Sequence, residues 1–276
     1  MKTALLQLTS GDEPVSNLAQ TTDFIAQAVA QGARFVLTPE VTNCVSQDRA
    51  HQAAVLQHET DDITLKSLRE EAVRHGIWLS IGSLALKTGD ADGRFANRSF
   101  LIDPAGQIVA RYDKIHMFDV AVSETETYRE SAGYRPGTQA VVAETPFAKI
   151  GMSICYDVRF AYLYRALAQA GAQVLLTPSA FSPVTGAAHW EPLLRARAIE
   201  TGSYVLAAAQ TGTHSARAGK TRKTFGHGLA ISPWGEVLVD MGDDPGIALL
   251  DLDLGEVAQS RKRIASLSHD RPFEGP

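Results

Sequence analysis

The chain presents one order of elements twice, and this internal repeat restricts its possible folds more than any other feature. Gly32-Ala33-Arg34-Phe35-Val36-Leu37-Thr38-Pro39 is echoed by Gly171-Ala172-Gln173-Val174-Leu175-Leu176-Thr177-Pro178, with the Gly-Ala opening and the Leu-Thr-Pro close retained. The turn Ile102-Asp103-Pro104-Ala105-Gly106 returns as Ile231-Ser232-Pro233-Trp234-Gly235. Around these landmarks the first half reads as a strand at Leu5 to Leu8, then a helix capped by Ser16 and stopped by Gly32. The strand Phe35 to Leu37, a helix from Ile63 to Arg74, the strand Ile77 to Leu86 and a hairpin with arms Ser99 to Ile102 and Ile108 to Tyr112 follow. The second half repeats the series: strand Ala148 to Cys155, helix Phe160 to Ala170, strand Val174 to Leu176, helix His189 to Thr201, strand Tyr204 to Ala209 and a hairpin. Each half has helices for one face of its sheet only, so the two bare faces must bury each other. The expected fold class is α/β, a four-layer α-β-β-α sandwich with an internal pseudo-twofold repeat, formed by residues 1–276 as a single domain.

Composition excludes several alternatives. A net charge of -5 offers no excess of cations to replace nucleic-acid counterions. The longest apolar stretches, such as Gly202 to Ala209, are far too short to span a membrane. Two cysteines in different contexts do not make a disulfide framework. With a strand-like run at Ala4 to Leu8 in place of a secretory leader, a cytoplasmic location with reduced thiols is expected.

Chemistry in α/β sheets gathers where strands end. Glu40 follows Leu37-Thr38-Pro39, Lys114 follows Tyr112-Asp113, and Cys155 closes the run Ile150 to Ile154. Together they supply a base, a cationic stabiliser and a nucleophile. Singly, each is more often an inert core thiol or a solvated loop charge, and spacing alone does not show that they converge. Between the halves, Asp119 to Gly137 is a non-periodic stretch rich in Glu, Ser, Thr and Tyr. Loops of this length are usually functional or disordered.

Three separated blocks then add a resemblance. Thr38-Pro39-Glu40, Tyr112 to Asp119 (Tyr-Asp-Lys-Ile-His-Met-Phe-Asp) and Gly151 to Phe160 (Gly-Met-Ser-Ile-Cys-Tyr-Asp-Val-Arg-Phe) resemble the signatures of the nitrilase, or carbon–nitrogen hydrolase, superfamily. The likeness continues through Pro178 to Phe181, Thr185 to Glu191 and Leu194 to Glu200, so it covers nearly the whole chain. It implies the same four-layer fold, pairing into a homo-oligomer, and roles for Glu40 as general base, Lys114 as oxyanion stabiliser and Cys155 as nucleophile. It also implies a second, structural glutamate that holds Lys114. Glu130, before Pro136-Gly137, fits that role, with Glu124 and Glu126 as weaker candidates. Wording from Ser179 to Gln210 is nearest to the deaminated glutathione amidase group, which implies a small 2-oxo acid amide as substrate and water as co-substrate. By the same resemblance Arg159 would pair with a substrate carboxylate, and Tyr156, Phe181 and Thr185 would line the pocket.

Other signals carry less. Gly219-Lys220-Thr221 looks like the tail of a phosphate-binding loop, but His214 stands where that pattern needs glycine. Arg217, Lys220, Arg222 and Lys223 form a basic loop, read first as a solvated surface and alternatively as an electrostatic lip for an acidic substrate tail. The eight histidines show no metal-ligand spacing, so neither metal nor cofactor is expected, and Cys44 reads as structural. The rival activities are an ω-amidase acting on 2-oxoglutaramate and, in a different class, a non-catalytic interaction protein of the same fold. A nitrilase or a carbamoyl-amine hydrolase is less favoured.

Overall fold

The computed structural model describes residues 1–122, 127–217 and 219–275. Two six-stranded sheets form, and their strand orders match position for position. The first runs Gly246–Asp251, Lys2–Gln7, Phe35–Leu37, Trp78–Lys87, Phe95–Ile102, Ile108–Asp113. The second runs Val141–Glu144, Lys149–Met152, Val174–Leu176, Tyr204–Ala207, Leu229–Ile231, Val237–Asp240. In each sheet the second, third and fourth strands pair in parallel, and every other pairing is antiparallel. The repeat seen in the sequence is therefore a repeat of topology. A strand from the far end of the chain completes the first sheet.

Alternation along the strands assigns each residue to a layer. Leu5, Phe35, Leu37 and Leu101 meet Ile150, Val174, Leu176 and Leu206 between the sheets. Their sequence neighbours Ala4, Leu6 and Val36 point outward onto Ile25, Leu65 and Leu68 of the helices Pro14–Ala30 and Ile63–His75. Met152, Leu175 and Val205 likewise point onto Leu163, Leu167, Trp190 and Leu194 of Ala161–Gln169 and Pro183–Thr201. The result is the helix–sheet–sheet–helix sandwich.

Local chemistry sets the helix ends. The Asp62 carboxylate accepts the Leu65 N–H at 2.8 Å, and Gly76 closes that helix at φ 61°. The first helix begins at Pro14, so Ser16 lies inside it and does not cap it. The helix read from His189 starts at Pro183, because a proline in the first turn forfeits no hydrogen bond. Its first six residues carry no apolar period. The strand read to Cys155 stops at Met152. The helix Arg49–Val55 and the strands Val141–Glu144 and Gly246–Asp251 were not legible in the pattern.

The two halves come very close beside the repeated Thr-Pro steps. A Cβ on Gly82 would lie 2.0 Å from the Thr38 carbonyl oxygen and 2.5 Å from Pro178 Cβ. Gly82→Ala should therefore destabilise the protein by about 1–3 kcal/mol. Gly246→Ala, with nothing within 4 Å of its added carbon, should stay within about 0.5 kcal/mol of wild type. Urea unfolding of both variants checks this, and equal midpoints would contradict it.

Candidate active site

Glu40, Lys114 and Cys155 converge at one end of the sandwich, on a cavity of about 410 Å³ that all three line. Each arrives from a strand end. Thr38-Pro39 carries Glu40 off the strand Phe35–Leu37, Lys114 follows Ile108–Asp113, and Cys155 opens the short 3-10 turn Cys155–Arg159. Cys155 has φ 50° and Val41, next to Glu40, has φ 45°. Both lie in the left-handed region, which a β-branched residue adopts only when its surroundings force it. Such strain beside both reactive groups marks a site held in place by its scaffold.

Hydrogen bonds account for every oxygen of the two glutamates. Glu40 Oε1 accepts from Lys114 Nζ at 2.9 Å and from Asn97 Nδ2 at 2.8 Å, and Oε2 accepts the Ala180 N–H at 2.8 Å. Glu130 Oε1 accepts from Lys114 Nζ at 2.9 Å, and Oε2 accepts the Phe118 N–H at 2.6 Å. Cys155 lines the same cavity, close enough for the Glu40 and Lys114 charges to act on its thiol. Glu130 thus occupies the supporting position, whereas Glu124 and Glu126 lie outside the described residues. Gly137 lets this loop close: its N–H donates to the Lys114 carbonyl at 2.7 Å, and a Cβ there would meet the Asp113 oxygen at 2.2 Å.

Burial and charge act against each other in this cluster. Burial pushes the Glu40 carboxyl up, but the Lys114 ammonium and the Arg222 guanidinium, with the hydrogen bond from Lys114, hold it below 4.5. Burial pulls Lys114 down, and Glu130, Glu40 and Cys155 more than reverse this, so it stays charged. Burial raises the Cys155 thiol, the Glu40 charge adds to it, and Lys114 opposes only in part. The resting site therefore holds a carboxylate, an ammonium and a protonated thiol. An ammonium has three N–H donors. Two go to the glutamates, and the third is available to an oxyanion formed on Cys155.

Asp157 secures the geometry from behind. Its fully buried carboxylate accepts from Tyr112 Oη at 2.6 Å, the His116 N–H at 3.0 Å and the Ile154 N–H at 2.9 Å, and contacts His116 Nδ1 at 2.6 Å. It ties the segment bearing Lys114 to the turn bearing Cys155. Neither Asp157 nor Asn97 was singled out in the sequence, although Asn97, a buried polar residue inside the apolar strand Phe95–Ile102, offered a usable sign.

Among the expected pocket residues, Tyr156, Phe181 and Thr185 line the cavity. Thr185 Oγ1 is buried and has no hydrogen-bond partner among the described residues. Arg159 does not line it. Its guanidinium sits over the Tyr156 and Phe181 rings, 5.8 and 5.6 Å from their centroids, and 3.3 Å from His189 Nδ1. Arg222, from the loop read first as a solvated surface, does line the cavity. So does Cys44, whose thiol is pushed up to about 12 by burial, with Asp12 and Glu13 adding to it. Asp12, Glu13 and His51 place three donor atoms within 4.8 Å of one another. There, however, His51 Nε2 contacts the Asp12 carbonyl at 3.0 Å, and the Asp12 carboxylate accepts the Arg217 N–H at 2.6 Å.

A thiol, a carboxylate and an ammonium thus meet around one cavity. Residues 2–262 match the carbon-nitrogen hydrolase family, and the chain belongs to it. It is similar to the deaminated glutathione amidase of Yersinia enterocolitica, 39% identical over 97% of this chain and 92% of that one. The protein of that name from Homo sapiens is 36% identical over 98% and 82%. Of solved structures, the C. elegans NitFhit protein superposes with a TM-score of 0.89 at 35% identity, over 98% of this chain and 65% of that one. An amidase from Nesterenkonia sp. AN1 superposes at 0.77 with 28% identity, over 96% of this chain and 98% of that one. In that structure acrylamide has added to the active-site cysteine. The chain is a carbon–nitrogen hydrolase acting on amides. No helix among its described residues is long and apolar enough to cross a membrane.

Lys114→Met would leave two buried carboxylates facing each other, costing roughly 3–5 kcal/mol near neutral pH. The lowered Glu40 contributes stability fully above its unfolded value and loses it as pH falls through the folded one. The raised Lys114 contributes fully below 10.5 and loses it as pH rises through its folded value. The wild-type advantage should therefore peak between these limits and shrink toward acid and alkali. Denaturation across pH measures it, and a pH-independent gap would contradict the charge cluster.

Proposed function

We propose that the chain is an amidase for small 2-oxo acid amides, with deaminated glutathione its preferred substrate, working through a thioester on Cys155. The observation that carries this reading is that Cys155, Glu40 and Lys114 line one cavity, with Lys114 bonded to Glu40 and both charges acting on the Cys155 thiol. As Cys155 Sγ attacks the amide carbon, its proton passes to Glu40, and the oxyanion takes the remaining Lys114 N–H. The C–N bond then breaks, and Glu40 returns the proton to the departing amine. Water enters and gives a proton to Glu40, and the resulting hydroxide attacks the thioester. Cleavage of the C–S bond releases the 2-oxo acid, and the thiolate recovers its proton. Glu130 keeps Lys114 charged and in place. No metal or cofactor enters the scheme.

The preference for deaminated glutathione is supported by the relatives of that name and by the cavity, whose 410 Å³ lies in the range that accommodates drug-sized ligands. An ω-amidase for 2-oxoglutaramate is the second reading. Tyr156, Phe181 and Thr185 are proposed to hold the acyl half. We further infer that residues 1–276 act as one domain and that copies pair as a homo-oligomer, in the cytoplasm and without nucleic acid. The pairing is what the family implies, and the other three rest on the repeat, the two cysteines without a disulfide framework and the net charge of -5.

Acid-quenched intact mass with substrate should reveal an acyl adduct on wild type and none on Cys155→Ala; an adduct persisting in the variant refutes the nucleophile. Glu40→Gln should lower kcat by about 10²–10⁴-fold with folding retained, and full activity would remove Glu40 from the scheme. Side by side, kcat/KM for deaminated glutathione should exceed that for 2-oxoglutaramate. The reverse order favours the ω-amidase.

A further inference from the structure

We infer that Arg222 is a specificity residue that receives a carboxylate carried by the leaving amine, selecting amides of amino acids or peptides over simple amides. This deepens the amidase reading above and rests on it.

The first support is which lining cations are already committed. Lys114 is held by two glutamates. Arg49 donates to the carbonyls of Ala132 and Gly93 and lies over the Phe95 ring. Arg129 is exposed at the rim, close enough to act on Asp119. Arg222 is half-buried, donates one hydrogen bond, to the Ala180 carbonyl at 2.6 Å, and has no carboxylate within ion-pair distance among the described residues. A guanidinium carries five donors in a planar fork that fits a carboxylate bidentately. A half-buried arginine that faces a cavity with most of that fork uncommitted is a recognition group.

The second support is its side of the cavity. The leaving nitrogen must meet Glu40, which returns its proton. Ala180 joins Glu40 and Arg222 directly: its N–H donates to Glu40, and its carbonyl accepts from Arg222. The Arg222 charge acts on the Glu40 carboxyl. A carboxylate on the departing amine thus falls toward Arg222, while one on the acyl half does not.

The third support is that the position is built. Arg222 opens the strand Arg222–Phe225, which pairs with Thr211–His214 in the register His214 to Arg222. The buried His214 ring bridges the Ser10 carbonyl and Thr224 Oγ1, at 2.7 Å each. The Phe225 N–H donates to the Phe181 carbonyl at 3.0 Å. The Phe225 ring fills the space beside Gly186, where a Cβ would approach it to 2.3 Å. The hairpin is therefore locked to the cavity wall.

The test uses one 2-oxo acyl group with two leaving amines, cysteinylglycine and cysteinylglycinamide, which differ only in the terminal charge. Wild type should favour the acid by about 10–100-fold in kcat/KM, mostly through KM. Arg222→Gln should bring that ratio near one, and Arg222→Lys should restore part of it. An unchanged ratio in Arg222→Gln, or a wild-type ratio near one, overturns the inference while leaving the amidase reading intact. Failure of wild type to cleave either compound overturns that reading, and the inference with it.

Discussion

The site depends on one buried ion cluster. Glu40, Lys114 and Glu130 carry three charges with almost no access to water, a net negative charge that would be untenable without compensation. The structure compensates it locally. Asn97 bridges the two carboxylates, the N–H groups of Ala180 and Phe118 each cap a free oxygen, and Arg222 adds a positive field. A cluster so fully bonded cannot rearrange cheaply, so it arrives at the reaction already aligned. Its cost also explains why such a triad would be an expensive ornament on a mere binding scaffold.

Everything larger serves to bring these groups together. Glu40 and Lys114 belong to the first half of the repeat, and Cys155 to the second, so the site exists only when the two sheets pack. Gly82 permits the approach of the paired Thr-Pro steps, and Asp157 ties the Lys114 segment to the Cys155 turn. The raised φ values at Val41 and Cys155 follow from this convergence: each chain must turn sharply off a strand to reach the cavity. Folding stability and site geometry are thereby coupled, because the interior that holds the sheets together also sets the distances between reactive atoms.

Much of this was legible in the amino-acid order. The repeat of Gly-Ala and Leu-Thr-Pro, joined to the strand and helix periods, implied the four layers, since apolar alternation records which face is buried. Glu40, Lys114 and Cys155 were legible as strand-end residues, and the family blocks singled them out. Other parts were not. Short elements such as Arg49–Val55 contain too few residues to display a period. Asn97 and Asp157 act through partners distant in the chain, which spacing does not reveal. Arg222 is more prominent than its place in the sequence suggested, because a side chain's direction is set by its packing. Arg159 is held over two aromatic rings, and Arg222 is turned inward by a hairpin that carries no strong sequence signal.

The central claim is that the resting nucleophile is a protonated thiol beside an ionised Glu40, with the proton moving only during acyl transfer. Vibrational difference spectra between wild type and Cys155→Ser at neutral pH test it directly, since the Cys44 contribution cancels. The S–H stretch of Cys155 should be present and shifted by the Glu40 charge beside it, and the shift should be lost in Glu40→Gln. Absence of that band, together with ultraviolet absorbance of a thiolate at neutral pH, would contradict the account.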